Sequence, residues 1–112
     1  MAQVLADGGF FEGAAFHCQQ AAEKALKALY VARGEWERSH SGVELLSGLR
    51  RLEVTPPEEV WTDTRKLDRA YISSRYPGSP GGRPEDLYDR KSTEELLECC
   101  DRVMAWARSV LS

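Results

Sequence analysis

One stretch of the sequence decides the predicted fold, Phe16-His17-Cys18-Gln19-Gln20-Ala21-Ala22-Glu23-Lys24-Ala25-Leu26-Lys27-Ala28-Leu29-Tyr30. Small and apolar residues recur in it at steps of four, three and four, which lines one face of an α-helix: Cys18, Ala22, Ala25 and Leu29. The other side is polar and is expected to face water: Gln20, Glu23, Lys24 and Lys27. We predict a central helix from about Phe11 to Arg33, ended by Gly34.

Start and stop signals predict two further helices after this one. Ser41 with Glu44 three residues later forms a capping box for a second helix, from Gly42 to about Glu53. The run Thr55-Pro56-Pro57-Glu58-Glu59 is typical of the cap and first turn of a third helix. This third helix is expected to end near Ser74, because a proline follows at position 77.

A last helix is predicted near the end of the chain, with Ser92 or Thr93 as its cap. Its apolar residues follow a regular four-three stripe: Leu96, Cys100, Val103, Ala107 and Val110. Before it, the glycines and prolines between Pro77 and Lys91 predict a long loop. Before the central helix, Met1 to Ala6 are interpreted as the end of another helix. The chain is therefore predicted to be all-α, an antiparallel up-and-down bundle of four to five helices.

Composition narrows the functional classes. A chain of 112 residues is expected to form a single domain over residues 1–112. No apolar run approaches the length of a membrane span, and no secretory signal is predicted. The net charge of −3 argues against indiscriminate nucleic-acid binding, although residues 65–91 contain seven Lys or Arg against four Asp or Glu. Three cysteines in no metal or disulfide spacing predict a cytoplasmic protein with reduced thiols, no metal and no cofactor.

The best candidate site lies at the end of the third predicted helix. Asp68, Tyr71 and Arg75 share one side of that helix, and Tyr76 follows directly. A guanidinium held by a carboxylate and framed by phenols can receive a phosphate or a partner's carboxylate, and the adjacent loop adds Arg83. The alternative interpretation is that Asp68 and Arg75 form a structural ion pair that fastens the helix end to the bundle.

The run from Phe16 to Leu29 resembles the signature helix of the HEPN domains. The resemblance continues with His40 before a Leu-rich helix, then with Asp68, Tyr71 and the run Arg75-Tyr76-Pro77, and it covers nearly the whole chain. It implies a helical bundle that forms homodimers and is often encoded beside a minimal nucleotidyltransferase. Similar domains act as nucleotide-binding modules, as toxin–antitoxin components or as ribonucleases.

The ribonuclease branch of that family has an Arg, four to six residues and then a His near the start of its last helices. No His occurs here among the seven residues that follow Arg75. Arg33 and His40 satisfy the spacing, but they flank the first predicted interhelical loop, so we interpret the match as coincidence. Without a His opposite Arg75, general acid–base cleavage of RNA has no obvious proton carrier, and we expect no enzymatic activity.

Three functional hypotheses follow. The first is a homodimeric module that binds a nucleotide or a minimal nucleotidyltransferase near Arg75, as part of a toxin–antitoxin-type pair. The second is a metal-independent ribonuclease toxin that uses Arg75 with Asp68 or Tyr71. The third is a purely structural oligomer. Self-association is expected in each case, because Trp36 lies in a polar loop and the last helix has a wide apolar face.

Overall fold

Four α-helices form the described part of this computed structural model, which covers the backbone of residues 11–75 and 90–112 and the side chains of residues 13–70 and 90–112. Their bounds are α1, Phe11–Ala32; α2, Gly42–Gly48, continued by a 3-10 turn over Leu49–Leu52; α3, Glu58–Arg75; and α4, Arg90–Leu111. No strand occurs within these described residues. The all-α bundle predicted from the sequence is thereby confirmed.

Helix α1 ends as its sequence predicts. Gly34 adopts a left-handed φ of 74°, a conformation that residues with a Cβ rarely adopt. The amide of Gly34 donates to the Val31 carbonyl at 3.0 Å, and the amide of Glu35 donates to the Tyr30 carbonyl at 2.9 Å. This pair of bonds is the Schellman motif, which satisfies the last carbonyls of a helix while it turns the chain away.

The predicted cap of α2 is confirmed, with one change in how it closes. The Ser41 hydroxyl accepts from the Glu44 amide at 3.3 Å, as a capping box requires. The reciprocal bond passes through Ser39: its hydroxyl donates to the Glu44 carboxylate at 2.6 Å and accepts from the Ser41 amide at 3.1 Å. Hydrogen bonds among Ser39, Ser41 and Glu44 therefore fix the turn that leads into α2.

The first turns of α3 and α4 differ slightly from the prediction. Pro56 and Pro57 precede α3 instead of forming its first turn, and the Pro57 carbonyl accepts from the amides of Val60 and Trp61. Helix α4 is already helical at Arg90, so Thr93 lies inside the helix, fully buried, and does not cap it. The predicted helix at residues 1–6 and residues 77–89 of the predicted loop lie outside the described residues.

The core fills the space between α1, α3 and α4, with α2 packed against α1 and α3. All the residues predicted to face inward from α1 are buried except Ala25, which is half-buried, and the predicted stripe of α4 is buried up to Ala107. Asp63 of α3 is also buried, and Arg102 of α4 donates to both of its carboxylate oxygens, at 2.8 and 3.0 Å. This bidentate pair joins α3 to α4.

None of the helices in the described residues is both long enough and apolar enough to cross a membrane.

Candidate functional site

The segment between α1 and α2 runs back along α1 instead of leaving it. His40 contacts Gln19 and Glu23, which lie about three and a half and two and a half helical turns before the end of α1. Helix α2 then carries the chain back, so that Arg33 donates to the carbonyl of Leu52. Residues 33–41 thus form a strap over one face of α1, and this strap creates the candidate site.

Polar residues of α1 hold the strap in place. The Gln19 side chain donates to the His40 carbonyl at 3.2 Å, and the Gln20 side chain donates to Gln19 Oε1 at 2.7 Å and to Glu23 Oε2 at 3.3 Å. Glu23 Oε1 lies 2.9 Å from Lys27 Nζ and 2.9 Å from His40 Nδ1. The predicted water-facing side of α1 is therefore wrong at Glu23, because the strap covers that carboxylate and leaves its side chain only 5% exposed.

The residues of this network are visible in the sequence, but their contact with the strap is not. Gln19, Glu23 and Lys27 follow one another at steps of four, so they form a continuous polar row along α1. Such a row is typical of a solvated helix face, so nothing in it predicts that the strap covers Gln19 and Glu23.

The electrostatics of Glu23 follow from its hydrogen bonds with Lys27 and His40. Burial raises the pKa of this carboxyl, but the hydrogen bonds from Lys27 and His40 outweigh burial and hold the pKa below its usual range. The ionised carboxylate can only accept hydrogen bonds, so His40 Nδ1 is assigned as the donor. His40 Nε2 is then left for a ligand, and the His40 side chain is 73% exposed.

Asp68, one of the predicted site residues, holds the same end of the strap as Gln19 and Glu23, at the point where the strap enters α2. Its carboxylate accepts from the Gly42 amide at 2.9 Å, from the Val43 amide at 3.0 Å and from the Ser41 hydroxyl at 3.1 Å. A carboxylate at a helix N-terminus is stabilised by the unpaired amides and by the helix dipole. A Cβ on Gly42 would lie 2.5 Å from Thr64 Cγ2, so only glycine allows α2 to approach α3 this closely.

An open cleft lies beside the strap, and we call it the Trp36 cleft. It has a volume of about 480 Å³ and its walls combine apolar and charged side chains: Lys27, Val31, Trp36, Glu37, Arg38 and His40. Trp36 is 74% exposed and Val31 is 58% exposed, so both present apolar surface to solvent. This exposure agrees with the apolar surface expected from a tryptophan in a polar loop.

Of the other predicted site residues, the structure describes only the backbone of two. Tyr71 and Arg75 lie in the last turns of α3, and their side chains are outside the described residues, as are Tyr76 and Arg83. Asp68 is directed to the start of α2, so among the predicted residues it is the one with described contacts, and those contacts position the strap.

Arg33 and His40, which match the ribonuclease spacing, are held by different partners. Arg33 donates to the carbonyl of Leu52, whereas His40 Nδ1 contacts Glu23. No group of His, Cys, Asp and Glu residues within the described parts of the chain could hold a metal ion. The three cysteines are free and buried, as small apolar residues would be.

Comparisons with known proteins find a matching family and similar solved structures. The sequence profile of the HEPN domain matches residues 1–110. The chain is 36% identical to TT1696 from Thermus thermophilus, whose crystal structure it matches with a TM-score of 0.88 over 97% of this chain and 86% of that one. It is 32% identical to ST0689, an archaeal HEPN homologue, with a TM-score of 0.81 over 99% of this chain and 86% of that one. No curated protein matches it.

Proposed function

Because this chain belongs to the HEPN domain family, we propose that it is a non-enzymatic partner-binding module that acts with a minimal nucleotidyltransferase in a toxin–antitoxin-type pair. The observation that carries the proposal is the Trp36 cleft. The strap that carries Trp36 is held at its start by the Schellman bonds of Gly34 and Glu35, and at its end by Gln19, Glu23 and Asp68. Trp36 is exposed on the strap, and Val31 is exposed on α1 beside it. An exposed tryptophan on an ordered backbone is the kind of residue that dominates protein–protein interfaces.

The contacts of Arg33 and His40 support binding over ribonuclease activity. Cleavage of RNA by general acid–base chemistry needs a proton carrier and a cation aimed at the same phosphate. Arg33 is engaged with a backbone carbonyl and His40 with Glu23, so each has a partner within the fold. His40 acts in this proposal as a residue of the binding surface.

A nucleotide is the second candidate ligand, and the basic excess of residues 65–91 favours it. It would bind near Arg75, with Tyr71, Tyr76 and Arg83 around it, while Asp68 supports the site through the start of α2. Isothermal titration calorimetry with ATP tests whether the module binds a nucleotide. Saturable heat that Arg75→Ala abolishes would make the nucleotide the ligand of the module.

The main test is co-expression with the partner that the proposal names, a minimal nucleotidyltransferase from the same genome. We expect the two proteins to elute together in size-exclusion chromatography, and purified RNA to stay intact when the module is added alone. Arg38→Glu and Trp36→Ala variants separate the cleft from the rest of the surface. Separate elution of two folded proteins would reject the proposal, and RNA cleavage that His40→Ala abolishes would establish the ribonuclease alternative.

A further inference from the structure

The carboxylates near the Trp36 cleft have partners within the chain, whereas one of its cations does not. Glu37 lines the cleft, but its carboxylate is engaged within the chain: its Oε1 accepts from the amides of Arg38 and Ser39 at 2.9 and 3.2 Å, and its Oε2 lies 3.8 Å from Arg51. Glu23, beneath the cleft, is buried and already binds Lys27 and His40. Both carboxylates near the cleft are therefore occupied by partners within the chain.

Two nitrogen-bearing groups of the cleft have no such partner. Across residues 13–70 and 90–112, the Arg38 side chain has no ion pair or hydrogen bond, and neither does His40 Nε2. Arg38 and His40 stand beside the exposed apolar pair Trp36 and Val31. The surface thus offers an apolar wall next to an unused guanidinium that can donate to an anion, Arg38, and an unused ring nitrogen that can accept, His40 Nε2.

A second copy of this chain is a poor occupant for this surface. Two identical patches that meet at a two-fold axis bring each group opposite itself or its neighbours. Arg38 and Lys27 would then face the same cations of the other copy, and like charges across an interface are unfavourable. A polynucleotide is disfavoured as well, since a phosphate backbone is bound by a row of cations, whereas Lys27 of the cleft is paired with Glu23 and only Arg38 is left.

We infer that the Trp36 cleft binds an acidic segment of the partner protein, in which one aliphatic or aromatic side chain packs on Trp36 and Val31. A neighbouring carboxylate of the segment binds Arg38, and a backbone amide of the segment donates to His40 Nε2. Charge complementarity carries the inference, because the Arg38 guanidinium is unpaired while the nearby carboxylates are satisfied. It rests on the proposed function as a partner-binding module and adds the surface and the chemistry of the partner.

Selection from a random dodecapeptide phage library tests the inference without a known partner. The immobilised wild-type protein is the bait, and phage that also bind Trp36→Ala are removed. We expect the surviving peptides to combine an apolar or aromatic residue with flanking Asp or Glu. A fluorescein-labelled peptide of the consensus should bind about tenfold more weakly to Trp36→Ala and to Arg38→Glu, a loss of roughly 1.4 kcal/mol. Arg108→Glu, an exposed charge reversal at the end of α4, is the matched control and should bind like the wild type.

Several outcomes would overturn the inference. Enrichment of basic or uncharged peptides, or of none, would show that the cleft does not select acidic segments. A change from dimer to monomer on Trp36→Ala would assign the cleft to a second copy, and displacement of the peptide by ATP would assign it to a nucleotide. If the nucleotidyltransferase binds Arg38→Glu and Trp36→Ala as tightly as the wild type, the inference fails while the proposed function stands.

Discussion

Asp68 accepts a backbone hydrogen bond from Gly42 at 2.9 Å, although the two residues are 26 positions apart in the chain. With the bonds from Val43 and Ser41, this contact makes a side chain of α3 part of the N-terminal cap of α2. The strap that carries Trp36 and His40 ends at this cap. The position of the candidate site therefore depends on α3 as much as on α1.

The Asp68→Ala variant is expected to be less stable than the wild type by roughly 1–3 kcal/mol, since it leaves the amides of Gly42 and Val43 without their acceptor. Urea unfolding followed by circular dichroism measures the difference. Asp101→Ala, which removes an exposed carboxylate from α4, is the control and should shift the midpoint little. Equal midpoints for Asp68→Ala and the wild type would show that water replaces the carboxylate without cost.

Acid is expected to destabilise the protein through Glu23 and Asp63. Burial raises the pKa of Asp63, but hydrogen bonds from Arg102 and Cys99 outweigh it, and its pKa, like that of Glu23, lies below the ordinary value. A carboxyl with a lowered folded-state pKa stabilises the fold above its unfolded pKa, and this contribution is lost as the pH falls through the folded-state value. The ordinary values are 4.5 for Glu23 and 3.8 for Asp63, so the loss begins below about pH 4.5.

Urea midpoints recorded in steps from neutral to about pH 3 measure this loss. The Glu23→Gln, Asp63→Asn double variant should be less stable at neutral pH and should change less as acid is added. A double variant with the same acid dependence as the wild type would show that other carboxyls account for the loss.

The three thiols are expected to be inert in the native protein. Cys18, Cys99 and Cys100 are buried. Burial and a hydrogen bond to Asp63 raise the pKa of Cys99 to about 11, which leaves little reactive thiolate near neutral pH. A thiol reagent such as Ellman's should therefore react with three groups per chain in concentrated urea and with almost none in buffer. A rapid phase in buffer would mean that α4 opens locally.

Self-association remains a prediction from the sequence. Leu111 at the end of α4 is an exposed apolar residue outside the Trp36 cleft, so apolar surface is available for a homodimer elsewhere on the molecule. We expect sedimentation velocity at micromolar concentration to show a dimer, and Trp36→Ala to leave it unchanged. A wild-type monomer under these conditions would contradict the homodimer predicted from the sequence.

The helices could be predicted from the sequence because their signals are local. The Schellman motif at Gly34 and the capping bond of Ser41 join residues three to five positions apart. The candidate site depends on contacts between distant residues, such as Glu23 with His40 across 17 positions. Helical periodicity places Glu23 on the polar side of α1, but it carries no information about a strap that returns to cover that side. The charge of Glu23 could be predicted, whereas its burial could not.

The short length of α2 has a consequence for how the protein folds. A helix of seven residues is far below the length that is stable alone in water. Its first amides bind Asp68 of α3, and its Leu45 carbonyl accepts from the Tyr30 hydroxyl of α1 at 2.5 Å. Helix α2 therefore forms only after α1 and α3 have met, and it belongs to the late part of the folding reaction. In native-state hydrogen exchange, the amides of Gly42 and Val43 accordingly report on the docking of α3, and through it on the order of the strap that carries Trp36.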